Sequence, residues 1–449
     1  MDFDFLKEIK EPIFYVTNDV AKGIGLEDLL PNYHIVCLDD QPLVDYLSKA
    51  GVKVFCLERT LKERNKIFRS TSKVIDHPLV LDYIKGESAG ETPQILFFKP
   101  SLKVDLVCQR NHFKKIGNSV ELNRMFEDKV LFYETCLEEE LPVPSGEVGE
   151  LGKMGFIKLV EKYNLPLVVQ FGRGWAGSTT YFIKTEKEFS DLQGQFAHQK
   201  VKITEFIAGK TILNNICLYG KKILVSPPAE QIKAVKDFTA KAGATCGRQW
   251  PAVLDDFSRL KIETITRKVG LLMQKKGYQG YFGLDFLVAQ KTGRVYLSEN
   301  NARLTASVPF FTKLELASGR RPLLVYHLAA FMAKEIPLPS SSVKELVGSE
   351  VVARNNLAHK VRVNGKVTPG TYEIRKGKLL LKRKDYYPRG LKNDGFWLTC
   401  AAKNRLVNPE MELIRAIFFK EVNNQRQQLD SSIIKIFQQI KRELQLEEC

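Results

Sequence analysis

Two acidic residues and an asparagine in the second half of the chain have types and spacing that suit a divalent cation. Asp285 lies on one strand of a hairpin predicted at 281–299. Glu299 ends the paired strand 14 residues later, and Asn301 follows two residues beyond. Alternate residues of a strand point to one face, so Glu299 and Asn301 share a face if the strand persists. Two carboxylates and one amide oxygen are hard ligands, and they predict a Mg²⁺ site.

An arginine follows the three predicted ligands at the same two-residue interval. Arg303 lies two residues beyond Asn301, so its guanidinium would lie beside the predicted metal site. A guanidinium there can hold a carboxylate or a phosphoryl group through paired hydrogen bonds. A simpler interpretation is that Asp285 and Glu299 are ordinary hairpin residues paired with nearby basic side chains.

Three segments upstream occur in the order that a nucleotide site needs. Lys129 lies on a helix predicted over 120–136 and supplies a positive charge. A glycine-rich turn at 171–178 offers backbone N–H groups and the freedom to close over phosphates. A strand is predicted over 201–207. Its second half, from residue 204, runs into a glycine turn that ends at residue 209. Such a strand provides a backbone edge suited to adenine.

Taken in order, these motifs resemble the ATP-grasp superfamily. The family pattern has a DK pair, a strand with lysine before a glycine-rich loop, an E-φ-φ-x-G hinge, an acidic hairpin residue and E-x-N-x-R. The corresponding segments here are Asp128-Lys129, Val168–Gly177, Glu205–Gly209, Asp285 and Glu299–Arg303. The resemblance covers about residues 119–335. The stretch 108–129 is most similar to biotin-carboxylase-type members and to peptide ligases of the pheganomycin type.

The resemblance implies an ATP-dependent carboxylate–amine ligase. ATP would bind between two lobes, and its γ-phosphate would pass to a carboxylate to give an acylphosphate. An amine would then displace phosphate, so that an amide or peptide bond forms and ADP and phosphate are released. Two alternatives stay open. One is a biotin-carboxylase-like or carboxylate–thiol ligase, and the other is a non-catalytic nucleotide-binding relative with a nucleic-acid-binding C-terminal domain.

The resemblance also implies roles for individual residues. Mg²⁺ on Asp285, Glu299 and Asn301 would bridge the β- and γ-phosphates. Arg303 would orient the acceptor carboxylate and stabilise the phosphoryl transition state, and Lys129 would contact phosphate. The residues expected to bind ATP are Lys129, Gln170, Gly172, Gly174, Gly177, Glu205, Phe206 and Ile207. Arg248 is expected to hold the substrate carboxylate together with Arg303, or to be a surface arginine in a loop.

One position departs from the family pattern. The usual second lysine, on the strand before the glycine-rich loop, is Gln170 here. Glutamine cannot supply the full charge that lysine offers to a phosphate. Either another basic residue compensates, with Arg173 and Lys202 as candidates, or nucleotide binding is weakened.

Patterns along the chain predict an α/β and α+β protein of three domains. Short apolar runs at 12–17, 34–38 and 52–57, with a helical pattern after 40, read as strand–helix–strand units of an open α/β domain. This pre-ATP-grasp domain is predicted over 1–118, and a two-lobed ATP-grasp domain over 119–336. A Pro/Ser-rich linker at 337–342 then begins a small basic α+β domain, 337–449, that ends in an amphipathic helix.

Composition excludes several classes of protein. The 449 residues are 44% hydrophobic and 27% charged, which is typical of a globular protein and not of a disordered one. The longest apolar stretch, 323–333, is far shorter than the roughly 20 residues that cross a bilayer. The N-terminus lacks the features of a signal peptide. The eight cysteines form no CxxC motif. We therefore expect a cytoplasmic location with reduced thiols.

The basic excess of the chain is concentrated near its C-terminus. The formal net charge is +16, and residues 351–449 contribute 20 Lys or Arg against 10 Asp or Glu. The run 374–389 is a candidate surface for nucleic acid or for an anionic substrate. The alternative is the solvated face of a hairpin that turns at 376–377. Small carboxylate and amine substrates are the favoured partners, and the oligomeric state, with a homodimer as one option, stays open.

Overall fold

The chain folds as two compact units, each built from separated segments. The computed structural model describes residues 6, 9–172, 180–339, 345–375, 378–388, 395–424 and 428–449. The first unit comprises Met1–Gly117, Ile232–Pro251 and Leu304–Cys449, and the second comprises Asn118–Gln231 and Ala252–Arg303. Within the described ranges, no helix is both long and apolar enough to cross a membrane. The three-domain division at 118 and 336 stays a prediction.

Strands and helices alternate through both units. The strands are β1 Ile13–Thr17, β2 Tyr33–Cys37, β3 Lys53–Cys56, β4 Gln94–Phe97, β5 Lys114–Ile116, β6 Gly146–Glu150, β7 Leu167–Phe171, β8 Thr180–Ile183, β9 Lys200–Glu205, β10 Gly209–Tyr219, β11 Lys222–Val225, β12 Ala229–Gln231, β13 Gly247–Trp250, β14 Gly280–Ala289, β15 Val295–Asn301, β16 Gly348–Arg354, β17 Val361–Val363, β18 Gly370–Arg375, β19 Lys378–Arg383, β20 Gly395–Cys400, β21 Leu406–Val407, β22 Glu412–Phe418 and β23 Leu446–Glu448. The helices are α1 Pro42–Lys49, α2 Leu57–Leu61, α3 Thr71–Ile75, α4 Pro78–Glu87, α5 Leu102–Arg110, α6 Val120–Glu127, α7 Lys129–Glu138, α8 Phe156–Tyr163, α9 Glu186–Phe196, α10 Asp256–Lys275, α11 Val308–Ala317, α12 Leu323–Met332 and α13 Ser431–Glu443, with 3₁₀ turns at Val20–Gly23 and Leu151–Lys153.

The first unit contains the predicted open α/β sheet. Five strands pair in parallel in the order β3-β2-β1-β4-β5. The strands β1, β2 and β4 are buried along their whole length, as expected for parallel strands covered on both faces. The predicted strands at 12–17, 34–38 and 52–57 lie within two residues of the observed ones. The α/β part of the fold prediction is therefore confirmed.

The first unit also contains an antiparallel sheet and the last helix. The strand order is β13-β16-β22-β20-β18-β19. The apolar face of α13 is buried in the same core, through Ile433, Ile436, Phe437, Ile440 and Leu444. Apolar residues at this spacing share one side of a helix, so the predicted amphipathic helix is confirmed.

The basic run near the C-terminus forms a hairpin in its described part. β18 and β19 pair antiparallel, with Arg375 opposite Lys378, and most residues of β19 are exposed. Arg375 and Lys382 lie 3.2 and 3.7 Å from Glu373. The turn predicted at 376–377 lies outside the described residues. The described basic side chains are thus on a solvated hairpin, with part of their charge matched locally.

The second unit consists of two lobes with separate cores. One lobe has an antiparallel sheet in the order β6-β9-β7-β8, against which α8 and α9 pack. The other has the strand order β15-β14-β10-β12, with β11 beside β10. The helix α10 covers this second sheet through Ile262, Ile265 and Val269. Two cores within one compact unit match the predicted two-lobed arrangement.

The single helix predicted over 120–136 is wrong. The chain forms α6 and α7 instead, and Asp128 between them has the extended backbone angles φ −68° and ψ 118°. The Asp128 carboxylate accepts hydrogen bonds from the N–H groups of Val130 and Leu131, at 3.0 and 3.2 Å. An aspartate side chain that satisfies the first N–H groups of a helix favours a helix start at that point. Lys129 is therefore the first residue of α7.

Candidate functional site

The β14–β15 hairpin brings the three predicted metal ligands to one face. Asp285 lies opposite Glu299 in the strand register, and Gly283 lies opposite Asn301. Residues paired directly, and residues two apart, project from the same side of a sheet. The Asn301 amide donates a hydrogen bond of 3.4 Å to Asp285 Oδ2. The structure thus places all three side chains together, within the second unit.

A lysine from α7 contacts this acidic group. The Lys129 ammonium donates a hydrogen bond to Glu299 Oε1, and its side chain is only 9% exposed. Burial acts to raise the pKa of Glu299, but the positive charges of Lys129 and Arg303 outweigh burial and lower it. Glu299 is therefore held as a carboxylate, the form in which it can bind a cation.

Arg303 is anchored by residues of α6. Its Nε lies 3.0 Å from Glu127 Oε1, and its Nη2 donates a 2.9 Å hydrogen bond to Asn301 Oδ1. Asn123 in turn donates to Glu127 Oε2 at 2.6 Å and to the carbonyl of Ala302 at 2.9 Å. Glu127 and Asn123 are not among the site residues predicted from the sequence. Their four-residue spacing on a predicted helix, which places them side by side, was the available signal.

Gln170 lies opposite a buried lysine. β7 and β9 pair antiparallel with Gln170 facing Lys202, and Gln170 Nε2 donates a 3.2 Å hydrogen bond to Thr180 Oγ1. Burial and the nearby charge of Lys129 lower the pKa of Lys202 to about 8, against the opposing charge of Glu299. The structure therefore brings Lys202 into the electrostatic environment of the hairpin site.

The glycine-rich turn begins against the start of α7. Lys129 N–H donates a 3.0 Å hydrogen bond to the carbonyl of Gly172. A Cβ atom at residue 172 would lie 2.5 Å from Asp128 Oδ1, so only glycine fits without a shift. Gly174 and Gly177, which are predicted ATP-binding residues, and Arg173 lie outside the described residues.

The predicted adenine-contacting segment leaves its strand earlier than expected. The strand predicted over 201–207 ends at Glu205. The Glu205 side chain accepts a 2.9 Å hydrogen bond from Ser145 N–H, and its backbone N–H donates to the Ser145 carbonyl at 2.9 Å. Phe206 is 44% exposed and Ile207 is half-buried. Glu205 thus joins β9 to the segment before β6, and the adenine contacts stay a prediction.

Arg248 belongs to the first unit. It lies on β13 opposite Glu350 of β16, with Nε 3.9 Å from Glu350 Oε2. Arg415 contacts the same carboxylate at 2.9 Å. Arg248 is only 9% exposed, so the alternative of a surface arginine in a loop is wrong. Its proposed contact with a substrate carboxylate stays a prediction.

The donor set at the hairpin fits a hard divalent cation. In the part of the chain that the structure describes, no three His, Cys, Asp or Glu side chains are grouped to hold a metal ion. The predicted set instead combines two carboxylates with the Asn301 amide oxygen. Magnesium commonly takes one or two protein carboxylates and completes its shell with water and phosphate oxygens, so the set is sufficient.

Comparison of sequences identifies relatives among the carbamoyl phosphate synthases. The chain is 24% identical over 255 residues to the C-terminal section of the large chain from Aquifex aeolicus, which is 55% of this chain and 46% of that protein. It is 21% identical over 289 residues to the large chain from Methanosarcina barkeri, which is 60% of this chain and 26% of that protein. The chain thus spans about half the length of the first relative and about a quarter of the length of the second. No protein-family model matches it.

Comparison of structures identifies the fold over nearly the whole chain. A biotin carboxylase–β,γ-ATP complex from Campylobacter jejuni matches with a TM-score of 0.62 and 16% identity, covering 98% of this chain and 92% of that one. N5-carboxyaminoimidazole ribonucleotide synthetase from Thermotoga maritima matches with a TM-score of 0.53 and 14% identity, covering 97% and 99%. The biotin carboxylase domain dimer of Hydrogenobacter thermophilus 2-oxoglutarate carboxylase, in complex with MgADP, ADP and bicarbonate, matches with 0.59 and 12%, covering 91% and 86%.

These relatives and structural neighbours are all ATP-grasp ligases. The parallel sheet of the first unit and the two lobes of the second are the elements of biotin carboxylase. This chain therefore has the fold of ATP-grasp ligases over nearly its whole length, and over part of its length its sequence is similar to carbamoyl phosphate synthases.

Proposed function

We propose that this chain is an ATP- and Mg²⁺-dependent ligase that joins a carboxylate to an amine. One observation carries the proposal. The β14–β15 hairpin groups two carboxylates and an amide, and Lys129 and Arg303 reach the same group from α7 and from the end of β15. Anionic ligands for a metal and cationic ligands for phosphate or carboxylate are thus adjacent.

In this proposal the protein holds the reactants and balances their charge. Asp285, Glu299 and Asn301 would hold Mg²⁺, which when bound neutralises charge on the phosphates of the nucleotide. Lys129 would contact phosphate. Glu127 holds the Arg303 guanidinium by a 3.0 Å contact, so that Arg303 is positioned to bind the substrate carboxylate. Positioning and preorganised charge are the main contributions of a protein to phosphoryl transfer.

The proposed chemistry needs no nucleophile from the protein. A carboxylate oxygen of the substrate attacks the γ-phosphorus of ATP, and ADP leaves as the bridging P–O bond breaks. The amine nitrogen then attacks the acyl carbon, phosphate leaves with its electron pair, and the nitrogen gives up a proton. The product is an amide or peptide bond.

ATP would bind between the predicted phosphate and adenine segments. Lys129 and Gly172 are joined through the backbone. In the same unit, Glu205 ends β9, and Phe206 and Ile207 follow it. The structural neighbours from Campylobacter jejuni and Hydrogenobacter thermophilus were determined with adenine nucleotides, which supports this assignment.

Phosphate release across a panel of carboxylic acids and amines tests the proposal. We expect ATP-dependent release only with particular acid–amine pairs. Glu299→Gln provides the inactive control, and Glu161→Gln, which changes an exposed glutamate of α8, provides the matched active control. Release that stays at background with every pair, while ATP still binds, contradicts the ligase proposal.

A carboxylase-type reaction is the second candidate. It is supported by the fold match to Campylobacter jejuni biotin carboxylase, which covers 98% of this chain. The same assay separates the two proposals. Phosphate release that requires bicarbonate and biotin, and that no acid–amine pair supports, favours the carboxylase.

A further inference from the structure

A buried lysine on β9 forms no ion pair with the other described residues. Lys202 is 3% exposed. Its backbone is paired within the sheet, but among the described residues its side chain takes part in no hydrogen bond and no ion pair. Burying a charge without a partner is costly. A buried cation of this kind is stabilised when an anion binds beside it. The residues around the Lys202 ammonium group therefore indicate which kind of anion fits there.

The side chain of Lys202 faces away from the core of its own lobe. Its neighbours Val201 and Ile203 lie in that core, and alternate residues of a strand point to opposite faces. On its own face, Lys202 Nζ lies 5.1 Å from the centre of the Tyr133 ring. Tyr133 is fixed in turn by a 2.9 Å hydrogen bond to the carbonyl of Pro144. A rigid ring beneath an ammonium group holds it in place.

Two positive charges therefore lie close together on this face. Lys129 and Tyr133 are four residues apart on α7 and so lie side by side on the helix. Lys202 Nζ lies against the Tyr133 ring, which brings it to the same part of α7 as Lys129. Glu299 is already engaged by the Lys129 ammonium, whereas the Lys202 ammonium forms no direct ion pair with a described residue. A phosphate chain, which carries several negative oxygens, matches two such ammonium groups.

We propose that Lys202 binds a phosphate of the nucleotide, in place of a charge that Gln170 cannot supply. The two residues are directly paired across β7 and β9, and directly paired side chains share one face of a sheet. An ammonium group from either position reaches the same surface. The inference rests on the proposed nucleotide binding. It assigns the positive charge that binds phosphate to Lys202 on β9 and not to the paired position on β7.

Calorimetric binding of ADP and adenosine to the full chain tests this inference. Lys202→Met keeps the length of the side chain and removes its charge. We expect the Kd for ADP to rise by about 10- to 100-fold, the usual effect of one charged hydrogen bond, and the Kd for adenosine to stay unchanged. Lys200→Met is the matched control, because Lys200 lies on the same face of β9 and pairs with Glu134 at an exposed position.

Moving the charge across the strand pair provides an independent test. In the double variant Gln170→Lys with Lys202→Gln, the ammonium group starts from β7 instead of β9. We expect this variant to bind ADP within about threefold of the wild type, because the position of the charge is conserved. Rescue by this variant also shows that the fold does not require a lysine at residue 202.

The outcomes separate this inference from the proposed function. Wild-type affinity for ADP in Lys202→Met overturns the role of Lys202 and leaves the ligase proposal standing. Equal weakening of ADP and adenosine binding also overturns it, since that result indicates a general change in the pocket. If the wild-type chain binds no ADP, both the proposed function and this inference fall.

Discussion

At the scale of single residues, the candidate site is a balanced set of charges. Lys129 contacts Glu299, and Arg303 contacts both Glu127 and the Asn301 amide. Each group is thus satisfied within the protein, yet each is a suitable ligand for an external ion. When a metal ion and a polyphosphate bind together, the metal ion would replace the basic partners of the carboxylates, and the phosphates would replace the acidic partners of Lys129 and Arg303. Each group would thus exchange one oppositely charged partner for another, which limits the electrostatic cost.

Asn301→Ala should weaken the use of Mg²⁺. The variant removes one of three oxygen donors and leaves both carboxylates in place, so the loss should be partial. We expect the Mg²⁺ concentration for half-maximal phosphate release to rise about tenfold, which corresponds to about 1.4 kcal/mol. A Mg²⁺ titration measures this, with Asn408→Ala at an exposed position as the control. An unchanged Mg²⁺ requirement would remove Asn301 from the metal site.

At the scale of elements, the junction between α6 and α7 sets the site. Asp128 caps α7, Lys129 follows it, and the backbone of Gly172 packs against both. The start of α7 therefore contacts the start of the glycine-rich segment, next to the lysine that is predicted to bind phosphate. A change at this junction should disturb both.

Gly172→Ala should destabilise the second unit through this junction. The added Cβ would lie 2.5 Å from the Asp128 carboxylate, and such overpacking costs about 1–3 kcal/mol. Asp128→Ala should cost about 1 kcal/mol through loss of the cap. In the Asp128→Ala background, Gly172→Ala should cost less, because the atoms it would strike are gone. Urea unfolding measures each free energy.

The control for this cycle is Gly194→Ala, in α9 of the same unit. A Cβ atom at residue 194 would meet no atom within 4 Å, and alanine favours a helix more than glycine does, so that substitution should not destabilise the unit. Strictly additive effects of Gly172→Ala and Asp128→Ala would contradict the proposed contact.

Local patterns predicted the β14–β15 pairing well and the helix junction poorly. The pairing of Asp285 with Glu299 follows from the alternation of residues in two strands joined by one turn. That pattern is contained in about 20 consecutive residues. The break at Asp128 depends on its side chain competing for backbone N–H groups, while the apolar spacing on both sides favours one helix. Periodicity alone does not show such a break.

Long-range contacts explain the other differences. Arg248 is buried because Glu350, about 100 residues later, lies opposite it in the sheet. Arg303 is anchored by Glu127, from 176 residues earlier. No pattern within a short stretch of sequence reports partners at these separations, although the residue types themselves could be named in advance.

At the scale of the whole molecule, part of the C-terminal positive charge has a structural use. Arg405 donates hydrogen bonds to both carboxylate oxygens of Glu58, at 2.9 and 2.5 Å. Arg415 likewise contacts Glu350 and Glu412. The net charge of 351–449 thus counts arginines that are buried in ion pairs of the first unit. Nucleic-acid binding would depend on the exposed hairpin, β18–β19, and not on these residues.

Arg405→Met should strongly destabilise the first unit. Arg405 and Glu58 are 8% and 1% exposed, and removing one partner of a buried pair typically costs about 3–5 kcal/mol. Burial acts to raise the pKa of Glu58, but the hydrogen bonds from Arg405 outweigh burial and lower it. The pair therefore stabilises the fold above the ordinary glutamate pKa of about 4.3. This contribution is lost as the pH falls through the lowered folded value.

Urea unfolding of wild type and variant at several pH values measures this effect. The difference in free energy should be largest near neutral pH and should shrink below about pH 4. Arg375→Met is the control, because its pair with Glu373 is exposed and should contribute at most about 1 kcal/mol. Equal stability of Arg405→Met and the wild type at pH 7 would contradict the role of this pair.

Phosphate release by Glu299→Gln, measured beside the wild type with an acid–amine pair that supports turnover, tests the central claim most directly. The amide keeps the shape of the side chain but loses the charge that holds Mg²⁺ and contacts Lys129. We predict that phosphate release falls to background, by at least about 100-fold, while the variant stays folded. Turnover at the wild-type rate would contradict the assignment of the β14–β15 hairpin as the site of ATP-dependent ligation.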